Sequence, residues 1–204
     1  MKELIYYIAY GGYAMNNKIY VRQYYMDKIE GFIDSDLIKV ITGIRRCGKS
    51  CFLLSIIDRL ILQGVNDKDI IQINLDKKGF KSIKTPEQLE KIIDEKIKDD
   101  DFKYLFIDEI QNVKGFETVI NAYREEGNFS VFITGSNSYL LSGELATKLT
   151  GRYIEVEMFP LNFYEFLEMK KFRNLPVNEN KMEEFNEYIR YGGFPKTLEF
   201  INND

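Results

Sequence analysis

LIKVITGIRRCGKS, residues 37–50, decides the fold. Leu37 to Thr42 is an apolar run of strand length, and it feeds directly into Gly43-Ile-Arg-Arg-Cys-Gly-Lys-Ser50. Beyond the loop, Leu53, Ile57, Leu60 and Ile61 recur at helical spacing and the pattern stops near Gly64. Strand, G-x-x-x-x-G-K-[ST] loop and helix in this order form a phosphate-binding unit. The glycines let the backbone curl tightly, so that the amides of Gly43, Ile44, Arg45, Arg46, Cys47 and Gly48 point inward at an anion. The helix that begins near Gly48 aims its positive end at the same place. Lys49 is then expected to reach the β- and γ-phosphates and to serve catalysis, and the Ser50 hydroxyl to ligate Mg²⁺. The nucleotide-binding stretch runs on to Cys51. Arg45 and Arg46 either assist the phosphates or are solvated flanking charges; Cys47 and Cys51 read as small residues that fit.

Downstream, strands and helices alternate. Ile70 to Leu75 reads as a strand. Thr85-Pro86-Glu87-Gln88 starts a helix, with Thr85 as cap, Pro86 at the first helical position and Gln88 completing a capping box; Leu89, Ile92, Ile93 and Ile97 form its apolar stripe. Tyr104 to Ile107 is a strand ending in Asp108-Glu109. A helix carries Phe116, Val119, Ile120 and Tyr123, and Phe129 to Thr134 is a further strand. After a polar turn and a short helix, Tyr153 to Met158 is a fifth. Before the loop, Tyr25, Ile29, Phe32 and Ile33 share one helical face. Past Pro160 the pattern is helical only: Phe163, Phe166 and Leu167 make one apolar face, and Met182, Phe185 and Ile189 another. The alternation predicts an α/β fold with a mostly parallel sheet covered on both faces, followed by the start of a helical lid. Three segments result: an extension at 1–20, a core at 21–160 and a helical segment at 161–204.

An apolar strand cannot cheaply bury a free carboxylate, so Asp108 and Glu109 must sit at the strand's open carboxyl end, where parallel sheets bind ligands. Asp108 suits the outer Mg²⁺ shell, the Walker B role beside the Walker A loop, and Glu109 suits orientation of an attacking water. The next strand ends in Thr134-Gly135-Ser136-Asn137, and either Ser136 or Asn137 fits a polar group between the metal and the γ-phosphate.

Composition narrows the field. The chain has 204 residues, 28 Lys+Arg against 32 Asp+Glu, a net charge of -4 and no histidine. Histidine acid–base chemistry and histidine metal ligation are excluded, and only a local basic patch could attract nucleic acid. Two cysteines are too few for a disulfide framework and fit a reducing compartment. The apolar run from Leu4 to Tyr10 is too short to span a membrane, so a cytoplasmic location is expected.

With these elements in order, the chain resembles AAA+ ATPases, and more closely a bacterial and archaeal AAA family with a poorly characterised C-terminal domain. The resemblance rests on GIRRCGKS at Gly43, YLFIDEIQ at Tyr104, ITGSNS at Ile133, LTGRYIEVEMFPL at Leu149 and YGGFP at Tyr191. It implies a strand order of 5-1-4-3-2 and an arginine-finger position for Arg152, which serves a neighbouring subunit in many such proteins; a structural ion pair is the alternative for Arg152. Gly192-Gly193-Phe194-Pro195 is similar to the G-x-P segment of signalling nucleotide switches, which implies that Pro195 lies against the nucleotide. No arginine clearly fills the second sensor position of a lid. The chain ends nine residues after Pro195, whereas family members continue, so a further region is expected to engage a DNA or protein partner. The expected activity is Mg-dependent ATP hydrolysis coupled to conformational change in a macromolecular partner, with homo-oligomers as the assembled form. The alternative is an ATP/ADP-dependent switch with little turnover. Phosphotransfer to a small acceptor is disfavoured because Arg22, Arg59, Arg124, Arg173 and Arg190 are scattered.

Overall fold

The computed structural model describes residues 19–136 and 149–201. Five strands form one parallel sheet: β1 (Ile38–Gly43), β2 (Ile70–Asn74), β3 (Lys103–Asp108), β4 (Phe129–Thr134) and β5 (Tyr153–Met158), in the order β2-β3-β4-β1-β5. This is the expected 5-1-4-3-2 order read from the other edge. The described helices are α1 (Gln23–Glu30), α2 (Lys49–Leu62), α3 (Pro86–Asp94), α4 (Phe116–Glu126), α5 (Phe163–Phe172) and α6 (Lys181–Tyr191).

Side chains alternate across each strand, so the sequence of one strand supplies two cores. Val40, Leu105, Ile107, Val131 and Ile133 point to one face, where α3 and α4 cover them with Leu89, Ile93, Phe116 and Ile120. Ile41, Phe106, Phe132, Val156 and Met158 point to the other, under α1 and α2. Phe106 and Phe132 stack on that face with ring centroids 4.5 Å apart. Helix α3 starts at the predicted capping box: the Gln88 amide donates to the Thr85 hydroxyl, and the Thr85 amide donates back to the Gln88 side chain.

Two amphipathic readings are corrected. In α1 the buried residues are Tyr25, Met26 and Ile29, while Phe32, 39% exposed, lies in the turn beyond the helix. In α6, Met182, Phe185 and Ile189 are exposed, and the one buried residue is Glu184. Glu184 is drawn inward because Lys170 of α5, itself fully buried, donates to both Glu184 (2.7 Å) and Glu187 (2.8 Å). The ion pairs hold this face of α6 against α5, with Phe185 edge-on to Phe163 at 5.2 Å beside them.

The helical segment has its own small core of Leu161, Phe166, Met169 and Leu198. Within it the Leu161 amide, shortly after β5 in sequence, donates to the Gly193 carbonyl at 2.7 Å. A side chain at Gly193 would collide with the Leu161 carbonyl, so only glycine permits this approach.

Candidate functional site

The loop between β1 and α2 wraps the carboxyl end of the sheet. Gly43 has φ 145°, and a Cβ there would collide with the carbonyl oxygen of Met158 on β5 and crowd the Cys47 sulfur. Arg46 adopts a left-handed conformation (φ 69°), and Gly48 (φ 111°) caps α2. The Lys49 ammonium is buried against this loop and donates to the carbonyls of Gly43 (2.9 Å) and Ile44 (3.2 Å). Cys47 is buried and Cys51 exposed, and both thiols are free. Burial pushes the Cys47 thiol up. Ser50 is exposed at the start of α2.

The carboxyl end of β3 lies beside this loop. Asp108 is buried, and its two oxygens are taken by neutral donors from the flanking strands: the Thr134 hydroxyl of β4 at 2.5 Å and the Asn74 amide of β2 at 2.7 Å. The Thr134 hydroxyl also accepts the Glu109 backbone N–H at 2.9 Å, so one side chain fixes both acidic positions. Glu109 is a non-glycine residue at φ 60°, ψ 47°, a conformation that costs about 1–3 kcal/mol and is concentrated at functional sites. Held this way, Glu109 turns out of the strand line and into a cleft of about 270 Å³, lined by Arg45, Lys49, Asp76, Glu109, Gln111, Asn112 and Ser136. Gln111 donates through Nε2 to a Glu109 carboxylate oxygen, while its own Oε1 is buried without a donor among the described residues.

The structure therefore brings together Arg45, Lys49, Glu109 and Ser136, with Asp108 behind them. Asn137 lies outside the described residues. Pro195 opens a short 3-10 turn (Pro195–Glu199), and its Cγ lies 3.9 Å from where a Cβ on Gly48 would stand, so the helical segment reaches the phosphate loop at that point. Arg152 lies elsewhere. It precedes β5, its carbonyl accepts the Ile38 amide, and its guanidinium bonds Asn121 of α4 at 3.0 Å and stands 3.8 Å from Glu125. That is the amino end of the sheet. The strand from Ile38 to Gly43, at a rise of about 3.3 Å per residue, puts roughly 17 Å between Arg152 and this chain's own cleft. Tyr25 belongs to the core, with its hydroxyl accepting the Phe159 amide at 3.0 Å, whereas the ring of Tyr24 is 61% exposed.

Sequence reasoning missed several residues. Thr134 and Asn74 matter because β4 and β2 flank β3, and nothing local announces that adjacency. Arg22 is buried and ties three elements together: it forms a bidentate pair with Glu165 of α5 (2.9 and 2.7 Å) and donates to the carbonyls of Cys47 (3.3 Å), Phe159 (2.6 Å) and Pro160 (3.3 Å). Its partner Glu165 also completes a capping box with Asn162. That S/T/D/N-x-x-E spacing was visible at Asn162; the pairing with Arg22 across 143 positions was not.

A five-stranded parallel sheet in this order, with a lysine-bearing loop leaving β1 and acids at the end of β3, one strand removed from it, defines a P-loop nucleotide-binding fold of the AAA+ type. The model of an AAA domain family matches residues 35–167, well over half of the chain, and the chain belongs to that family. It is 40% identical over 185 residues to an uncharacterised protein of Haemophilus influenzae, covering 90% of this chain and 46% of that one. It is 39% identical over 165 residues to an uncharacterised protein of Methanocaldococcus jannaschii, covering 78% and 36%. The chain thus spans less than half the length of these curated relatives. Among solved structures, AMPPCP-bound DnaA from Aquifex aeolicus shares the fold with a TM-score of 0.55 at 16% identity, covering 87% of this chain and 58% of that one. PCH-2 of C. elegans does so with a TM-score of 0.59 at 15% identity, covering 89% and 58%, and Cdc6p of Pyrobaculum aerophilum with 0.57 at 11%, covering 82% and 52%. Among the described residues no helix is long and apolar enough to cross a membrane.

Proposed function

We propose that the chain binds Mg-ATP in the cleft between the 43–50 loop and the end of β3, and hydrolyses it. The observation that carries this reading is the Asp108–Thr134–Glu109 network, which fixes a buried carboxylate and a strained, cleft-facing one beside Lys49. The residues fit a divalent cation. Among the described residues Asp108 is met only by neutral donors, an arrangement that a nearby cation would complete, directly or through water. Asp108 and the Ser50 hydroxyl would hold Mg²⁺, whose chemistry there is to neutralise charge on the phosphate oxygens.

The chain's own groups supply the rest. The loop amides and Lys49 hold the phosphates, with Lys49 leaving the Gly43 and Ile44 carbonyls to do so. Glu109 orients water for attack on the γ-phosphate. The Oε1 of Gln111, without a donor among the described residues, provides a second anchor for the same water, and Ser136 lines the same cleft. In this reading residues 161–204 act as a lid on the 21–160 core. Pro195 beside Gly48 and the Arg22–Glu165 pair beside Cys47 are the two points at which that lid feels the phosphate loop. Turnover would then be converted into lid movement and passed to a macromolecular partner.

The test is calorimetric and kinetic. Lys49→Ala should lose Mg-ATP affinity. Glu109→Gln should keep it while turnover falls by about 10²–10⁴-fold. Unchanged affinity in Lys49→Ala removes the site. Tight binding with no turnover in the unaltered protein makes it a nucleotide-dependent switch instead.

A further inference from the structure

The loop that follows β2 carries Lys77, Lys78, Lys81 and Lys84 and no acid between Asp76 and Glu87. The Lys114 amide donates to the Lys84 carbonyl at 3.2 Å, which sets a fifth lysine beside the loop. All five side chains are exposed, and none forms an ion pair among the described residues. Lys68, Lys103 and Lys170, by contrast, are each shared between two carboxylates. Like charges in one short loop repel one another, and a polyanion laid along them would relieve that repulsion. The platform is also preformed. Successive turns run from Asn74 to Lys77, Lys77 to Phe80 and Phe80 to Ile83, and Ile83 is buried while Phe80 packs partly against the core.

We propose that this loop is a docking surface for double-stranded DNA, held through its phosphodiester backbone without reading sequence. The chemistry selects this occupant. Ammonium groups are donors only, so the lysines meet phosphate oxygens, which a DNA duplex presents at one charge per about 1.7 Å of its axis. The loop's aromatic ring, Phe80, is engaged with the core, which removes the stacking platform that unpaired bases need. The chain as a whole carries a net charge of -4, so its long-range field repels a polyanion and attraction must come from this patch. The loop also borders the cleft: Asp76, which lines it, immediately precedes Lys77. Docking of DNA here does not depend on hydrolysis in that cleft.

Binding of fluorescein-labelled duplex DNA of two unrelated sequences, followed by anisotropy between about 50 and 200 mM salt, tests the proposal. Five phosphate contacts predict a log–log salt slope of about -4.5, equivalent to roughly 500-fold weaker binding across that range, with both sequences alike. Lys78→Ala and Lys81→Ala should each reduce the slope by about 1. Reversal of Lys77, Lys78, Lys81 and Lys84 to Glu should abolish binding while the melting temperature, set by buried residues, stays close to that of the unaltered protein. Absence of binding at about 50 mM salt, or binding that survives the charge reversal, overturns the proposal. So does stronger retention of duplex RNA, single strands, poly-glutamate or phosphatidylserine vesicles than of duplex DNA at the same salt.

Discussion

Thr134 shows how much one hydroxyl can organise. It donates to Asp108 and accepts from the Glu109 amide, so the conformation of Glu109 depends on a residue of the neighbouring strand. Lys39, four residues before the phosphate loop, poses the opposite problem. Its ammonium is fully buried in β1, donates to the Ser35 carbonyl at 2.9 Å and lies 4.8 Å from the centre of the Phe132 ring. Burial lowers its pKa from 10.5 to about 7, against the opposing pull of Asp34 and Asp36. Between those values the unfolded chain binds the proton that the folded chain has released, so stability rises with pH through the window and is lost as pH falls towards 7. Lys39→Met should therefore be more stable than the unaltered protein near neutral pH. That advantage should shrink by a few kcal/mol towards pH 10, since a tenfold change in proton affinity on folding corresponds to about 1.4 kcal/mol. Urea midpoints of both proteins across that range measure it. A difference independent of pH would show that Lys39 does not titrate there.

Among elements, the junction of α1, the phosphate loop and α5 rests on Arg22. Removal of one partner of a buried pair strands the other charge, and Arg22 additionally satisfies three carbonyls. Arg22→Met should cost about 3–5 kcal/mol in urea unfolding. The Arg22→Met, Glu165→Leu double variant should cost distinctly less than the sum of its two single variants, because the second change removes the stranded carboxylate. Strict additivity would mean that the pair has no coupling. Such junctions mark the limit of what the amino-acid order reveals. The five strands, the capping box at Thr85 and the 43–50 loop follow from periodicities and turn chemistry within a dozen residues. The roles of Thr134, Asn74 and Arg22 arise from strand adjacency or from contacts across 143 positions, which no local pattern encodes. The exposure of Met182 and Ile189 on α6 is hidden for a related reason: Lys170, on another helix, holds Glu184 inward. Arg152 is legible only through family resemblance, and its own geometry decides how it can act.

At the scale of the whole molecule, a parallel sheet has a ligand-binding carboxyl end and a distant amino end, and Arg152 is at the latter. Its guanidinium is 42% exposed and is anchored on α4 rather than aimed at Glu109. Arg152 can therefore neutralise transition-state charge only in the cleft of a second copy, where such an arginine is worth about 10³–10⁵ in rate. Three consequences separate this from a structural role. Turnover per chain should rise with protein concentration. Arg152→Ala should lower turnover while leaving Mg-ATP affinity and the urea midpoint nearly unchanged, because exposed pairs contribute only about 0–1 kcal/mol. Arg152→Ala and Glu109→Gln, each inactive alone, should regain activity when mixed, since an interface between them joins an intact Arg152 from one chain to an intact Glu109 in the other. A mixture as inactive as its components, together with turnover independent of concentration, would reduce Arg152 to a brace between β5 and α4.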